Sequence, residues 1–273
     1  MKYLHYYQTD SEFQPVYDGS GYTEPWVSLV EETDRVNYNK KLLTFEILSD
    51  GTVGCTANLS LEYKLNDGEW LPFNSGTSVN VVTGDKVKFR GNQTRTGGIF
   101  RTTARFNLSG NIMSLIDDLQ SFPSDTTENF VMLFNGCTNL ISAKNLILPA
   151  DVLTYGCYGF MFAGCTNLIE APKLPATQLA DHCYAQMFSS CTSLRKAPDL
   201  LARTTVARAY IQMFLYCSNL NYIKCLGNQG DGTATGNWVN GVNTTNGTFV
   251  KASGVNWDTG ESGIPDGWTV LEV

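Results

Sequence analysis

Eight cysteines, two histidines and a spaced set of lysines bound the chemistry open to this 273-residue chain. The cysteines are Cys55, Cys137, Cys157, Cys165, Cys183, Cys191, Cys217 and Cys225. None forms a Cys-x-x-Cys pair, and with only His5 and His182 the Cys/His spacings of a closed zinc site are absent. Seven of the eight fall in an internal repeat, which reads them as buried small hydrophobes in equivalent slots, reduced rather than bridged. His182 stands beside Cys183, a pairing able to activate a thiolate. Adjacent side chains on a helix diverge by about 100°, however, and Cys183 belongs to a repeat column, so no dyad is expected. Residues Asn228, Gln229, Gly230, Asp231 and Gly232 offer oxygen ligands without the downstream bidentate Glu of a calcium loop, and read as a plain loop. Phosphate-loop and zinc-protease motifs are missing, and Glu31 and Glu32 form a local run that nothing sets across a cleft. The expectation is a protein with no catalytic residue, no metal and no cofactor.

The informative polar side chains lie between buried positions of the repeat: Lys144, Glu170, Lys173, Arg195, Lys196, Asp199, Tyr222, Lys224 and Lys251. Six of these nine are basic, although 26 acidic and 19 basic residues leave the chain at −7. That overall charge argues against a nucleic-acid partner. Two readings stand for the strip. It is a solvated face, or it is a concave surface that takes an acidic glycan or protein with Tyr222 as an aromatic anchor.

The elements that would carry the strip come from self-similarity. Phe134, Phe162, Phe188 and Phe214 step by 28, 26 and 26 residues, and Cys137, Cys165, Cys191, Cys217 and Leu140, Leu168, Leu194, Leu220 step identically. Recurrent Leu at a period of about 20–29 residues implies coils that bury an apolar face only by stacking on one another. The piece around CTNLIEAPKL reads as a short strand that ends at Pro172, as its counterpart ends at Pro198, because proline donates no ladder hydrogen bond. TQLADHCYAQMF reads as a short helix, with Leu179, Cys183, Met187 and Tyr184, Phe188 spaced i, i+4. The fold class expected is α+β: a leucine-rich-repeat solenoid with a short strand and a short helix in each coil.

The coil from Met161 to Tyr184 (MFAGCTNLIEAPKLPATQLADHCY) resembles the BspA-type leucine-rich repeats of Bacteroides and related bacteria. The resemblance covers roughly residues 106–252 and implies a solenoid used for adhesion or partner binding, with no catalytic residue to carry over. Residues 227–252 read as a degenerate last coil with Trp238 in it. Residues 253–273 read as a C-terminal cap closed by Trp268.

Ahead of the repeat, residues 42–105 form short alternating runs (LLTFEIL, SLEYKL, SVNVV, DKVKFRG) separated by turn signals such as Asp67-Gly68. They predict a small antiparallel β-sandwich, Ig-like in pattern, joined to the repeat by a polar bridge. Residues 1–41 are rich in aromatics, and EPWVSLVEETDRVNYNK resembles N-terminal segments of Bacteroides phage and prophage proteins. Such a segment packs on its own sandwich or attaches to another virion subunit by strand addition. No apolar run follows the basic start as an export signal requires, and none approaches the ~18 residues of a membrane span. These features predict a non-enzymatic adhesion protein, carried on a virion released by lysis, that meets a host-surface glycan or protein and inserts in no membrane. The alternative is a bacterial cell-surface adhesin of the same repeat family. A glycan-active enzyme ranks third.

Overall fold

The computed structural model describes residues 5–8, 13–16, 41–56, 59–91, 98–116, 130–229, 232–243 and 245–273. The chain divides into two units, residues 1–39 and 40–273. In the first, β1 (His5–Gln8) and β2 (Phe13–Val16) pair antiparallel, with His5 opposite Val16. Apart from Lys41, the rest of the predicted attachment segment lies outside the described residues.

The second unit opens with strands whose alternation follows the sequence. In β3 (Leu43–Ile47) every second residue (Leu43, Phe45, Ile47) is buried. Then come β4 (Gly51–Cys55), β5 (Leu61–Leu65), β6 (Leu71–Phe73), β7 (Ser78–Val81), β8 (Lys86–Arg90), β9 (Phe100–Thr102), β10 (Phe106–Asn111) and β11 (Leu140–Ile147). One sheet has the order β11-β10-β3-β8-β5-β6, and a second the order β7-β4-β9. Rings from both meet in the core: Phe100 of β9 lies 4.9 Å from Phe45 and from Phe89, and 5.9 Å from Phe73. The turn signalled by Asp67-Gly68 forms after β5, with Asn66 at φ 52° and the Gly68 N–H donating to the Leu65 carbonyl at 3.0 Å.

At residues 105/106, where a border between sandwich and repeat was expected, the sheet is continuous. β10 pairs antiparallel with β3 and parallel with β11, the first strand of the repeat. The cores are continuous too, since Phe100 stacks on Phe134 at 5.6 Å.

The predicted α+β leucine-rich-repeat solenoid, with a strand and a helix in each coil, is overturned. The only helical element among the described residues is a 3-10 turn at Ile112–Leu115. Among the described residues the strands gather in four sheets, none of which runs the length of the repeat region. The segment expected as a helix is instead a chain of tight turns. Positive φ recurs at every fourth residue: Gly156, Phe160, Gly164; His182, Gln186, Ser190; Arg208, Gln212, Tyr216. Such residues cannot sit inside a right-handed helix, and each non-glycine example costs roughly 1 kcal/mol.

The hydrogen bonds explain what offsets that cost. Odd-numbered N–H groups close local turns, as Cys183 to Ala180, Ala185 to His182 and Met187 to Tyr184. Even-numbered ones reach the next repeat, as Tyr184 to Ala209, Gln186 to Ile211 and Phe188 to Met213. An α-helix would turn all these donors inward and leave neighbouring repeats without backbone contact. The i, i+4 spacing that suggested a helical stripe is the period of the turn.

The strand side is interrupted for the reason proline supplies. Ser142 bridges Glu170 and Lys196 bridges Tyr222, but only as isolated pairs. Pro172 and Pro198 stand where the next rung needs an N–H. Regular pairing resumes at β12 (Tyr222–Cys225), where Lys224 occupies the proline position, and continues in parallel to β13 (Thr248–Lys251) and β14 (Thr269–Glu272).

The repeat register is a register of physical stacking. Phe134, Phe162, Phe188 and Phe214 follow one another at 5.5, 5.5 and 6.0 Å, with interplanar angles of 13°, 5° and 8°. A parallel row runs Phe130, Tyr158, Tyr184, Tyr210. Both rows end on Trp238, which lies 6.3 Å from Tyr210 and 5.9 Å from Phe214.

Candidate functional site

All nine residues of the predicted strip reach the surface, and the fold sorts them into separate groups. Lys144, Glu170, Lys173, Arg195 and Lys196 are exposed, while Asp199, Tyr222, Lys224 and Lys251 are half-buried. Their spacing follows from the strand pairing, which stacks Ser142 on Glu170, Lys196 on Tyr222, Tyr222 on Thr248 and Thr248 on Thr269.

In the first group the Lys144 ammonium lies 3.5 Å from Glu170 Oε1, and Ser142 Oγ donates to Glu170 Oε2 at 2.8 Å. Partial burial lowers the Lys173 ammonium below the usual lysine range, and the positive charge of Lys144 lowers it further. Two cations, Lys144 and Lys173, therefore lie near enough to oppose each other's charge. In the second group Lys196 Nζ sits 5.0 Å above the centre of the Tyr222 ring, within cation–π reach. In the third, Lys224 Nζ is 3.1 Å from Asp199 Oδ2. Lys251 belongs elsewhere, because its ammonium is held by Glu272 of β14 and donates to the Val255 carbonyl at 2.8 Å. It braces the C-terminal sheet. Arg195 uses its backbone carbonyl to accept from the Asn221 N–H at 2.9 Å.

The cysteines have a role that repeat spacing alone did not disclose. Cys137, Cys165, Cys191 and Cys217 each donate through Sγ to the carbonyl of the phenylalanine one layer earlier in the stack (Phe100 of β9, then Phe134, Phe162 and Phe188), at 3.0–3.2 Å. The Asn of the two Cys-Thr-Asn-Leu phrases, and of Cys217-Ser218-Asn219-Leu220, works similarly. Asn139 Nδ2 donates to Thr102 O, Asn167 to Thr138 O and Asn219 to Thr192 O. The available signal is the recurring Cys with Asn two residues on in three of the four repeats.

None of the eight cysteines is in a disulfide, and seven are buried. Burial pushes the Cys137, Cys217 and Cys225 thiols up to about 12 and raises Cys165, Cys183 and Cys191 as well. Half-buried Cys55 is also raised by burial. A thiolate is the reactive form. We therefore expect a maleimide titration at pH 7.5 to modify at most one thiol, Cys55, in the folded chain and eight after unfolding. Several fast-reacting thiols in the folded state would refute this packing.

Burial, rather than helix geometry, removes Cys183 from any dyad with His182. His182 instead belongs to a half-buried cluster on the turn side that no sequence motif signals. Its Nδ1 lies 2.9 Å from Asp181 Oδ1, Arg208 grips both carboxylate oxygens of Asp181 at 3.0 and 2.6 Å, and the Tyr155 ring is 5.5 Å from the imidazole. Arg208 holds the Asp181 carboxyl below its ordinary range. Gly230 and Asp231 of the loop weighed for calcium lie outside the described residues, and no group of three or more His, Cys, Asp or Glu gathers as a metal site among those described.

No protein-family model matches the chain, and no curated protein or solved structure matches it at a significant level.

Proposed function

We propose that this chain is a non-enzymatic binding protein whose strand face, from Lys144 to Tyr222, takes an acidic glycan or an acidic protein segment. The observation that carries this reading is the gathering of basic side chains on one strand face of an acidic chain, where Lys144 and Lys173 lie near enough to oppose each other's charge. An arriving carboxylate or sulfate relieves that repulsion. Tyr222, already covered by Lys196, supplies an apolar ring beside it. The turn-side backbone ladder and the isolated bridges of the strand side hold these groups at fixed spacing, so little side-chain or loop ordering accompanies binding.

The partner is placed on a host surface, and the chain on a virion of a Bacteroides phage or prophage. What supports that placement is the resemblance of residues 24–40 to phage segments and of the repeat phrase to surface adhesins. Capsid and tail genes beside the coding sequence are expected, whereas polysaccharide-utilisation genes would move it to a bacterial cell surface.

A glycan array, repeated with host surface proteins, tests the binding role. Lys173→Glu and Lys196→Glu should each weaken capture of an acidic ligand about tenfold, on the order of 1.4 kcal/mol, and raised salt should weaken the native chain similarly. Binding unchanged by both reversals, with the fold intact by circular dichroism, would remove the strip from the reading.

A further inference from the structure

The parallel sheet β12-β13-β14 ends on an edge that no described residue covers. All four residues of β14 are exposed, with Val270 at 41% and Leu271 at 50%, and Val273 beyond them at 66%. The Thr269 N–H donates to Gly247 O at 2.9 Å and the Val273 N–H to Lys251 O at 3.0 Å. In a parallel ladder the N–H and C=O of one residue point to the same side and neighbouring residues alternate. Leu271 therefore also faces β13, while Val270 and Glu272 send both their backbone groups to the open edge. Val270 also ends a column whose earlier members, Ile223 and Phe249, are fully buried.

Other edges of the unit carry protection that β14 lacks. β6 contains Pro72, and β7 alternates buried Val79 and Val81 with exposed Ser78 and Asn80. The one charge on β14, Glu272, is compensated by Lys251 and accepts from Ser253 Oγ at 3.1 Å. An apolar edge with its charge neutralised is a template for strand pairing.

We propose that β14 pairs antiparallel with β14 of a second copy of this chain, about a twofold axis at Leu271. The two outward-facing residues are separated by one, so Val270 meets the partner's Glu272 and Glu272 meets the partner's Val270. Each pair exchanges two backbone hydrogen bonds, and every outward group between Val270 and Glu272 is satisfied. Each Glu272 lies against a valine rather than against a second carboxylate, so the pairing sets no like charges opposite one another. Leu271 faces the partner's Leu271 at the non-hydrogen-bonded position, where Cα atoms approach to about 4.5 Å. A one-residue shift in register moves the two copies' outward groups out of opposition, and a two-residue shift toward the C-terminus sets the two Glu272 side chains against each other. A contact built on one short strand pair falls below the area of a permanent interface, so the dimer forms and dissolves with concentration.

Sedimentation velocity of the full chain without ligand, over a hundredfold range of concentration, tests this pairing independently of the strand-face strip. A dimer fraction that rises with concentration is expected. Val270→Pro removes an outward N–H and no internal bond, so it should abolish the dimer while leaving the melting temperature unchanged. Leu271→Cys should yield a disulfide-linked dimer under mild oxidation, since the two positions face each other at bridging distance, whereas Val273→Cys and the native chain should not. Should Val270→Pro also lower the melting temperature, the cysteine pair decides alone. A chain monomeric at every concentration, a folded Val270→Pro that dimerises like the native chain, or equal cross-linking at 271 and 273 overturns the proposal.

Discussion

Phe188→Ala should lower the unfolding free energy by about 3–5 kcal/mol, the largest single-residue loss expected in this chain. Phe188 is fully buried and lies 5.5 Å from Phe162 and 6.0 Å from Phe214, nearly parallel to both. Truncation leaves a cavity between two rings that backbone hydrogen bonds to both neighbouring repeats hold in place. The Cys217 thiol donates to the Phe188 carbonyl, and the Phe188 N–H to the Met213 carbonyl, so the main chain has little freedom to collapse inward. Chemical denaturation followed by tryptophan fluorescence measures the loss. Phe188→Leu, which keeps most of the volume, should cost clearly less than the alanine variant. Equal stability of native and Phe188→Ala chains would show that the ring column bears no load.

Which parts of this architecture the sequence disclosed can be traced residue by residue. The columns Phe134, Phe162, Phe188, Phe214 and Cys137, Cys165, Cys191, Cys217 were visible as constant steps, because a buried slot repeated in space demands the same volume each time. The alternation in LLTFEIL and DKVKFRG marked β3 and β8, because one face of each strand is dry and the other wet. The return path was misread. Apolar residues at 183, 184, 187, 188 and 191 satisfy a period of 3.6 and a period of 4 equally well over so short a span. No residue type announces the left-handed positions either: Gly156 and Gly164 hold some of them, but His182, Gln186, Ser190, Arg208 and Tyr216 hold others. Their conformation is imposed by hydrogen bonds to a neighbouring repeat about 25 residues away in sequence, which no local propensity encodes.

The same distinction governs the strip. Exposure of Lys144, Glu170, Lys173, Arg195 and Lys196 followed from their places between buried columns, because strand side chains alternate. Their partners did not, since pairing depends on which repeat stacks where. Lys251 shows the difference best. Its sequence position puts it in line with the other lysines, but the fold locks it onto Glu272, a residue of the closing strand.

Deleting residues 254–273 should convert the chain into an aggregating species, and the reason lies in what those residues cover. Trp238, fully buried, ends both ring columns of the repeat. Its outer face is stacked by Trp257 at 5.4 Å, and its indole N–H donates to the Gly263 carbonyl at 2.7 Å. The Ser262 carbonyl accepts from Thr235 Oγ1 at 2.6 Å and from Gln229 Nε2 at 3.2 Å. Trp268 packs onto Gly247, where any Cβ would collide with the indole, and its own N–H donates to Asn243 O at 2.8 Å. Truncation takes away two indoles, Ile264 and β14 together, and strands three buried or half-buried donors, each costing about 1–3 kcal/mol when left unpaired. It also bares the far side of β13, whose Phe249 and Val250 are buried in the intact chain. The expected result is light scattering on gentle heating and a melting temperature well below that of the intact chain. Trp257→Ala separates the two causes, since it removes one indole face and keeps β14: it should destabilise without aggregating at room temperature. A truncated chain that stays monomeric and melts with the native one would mean that the aromatic end of the stack needs no cover, and the role assigned to Trp257 and Trp268 would fall.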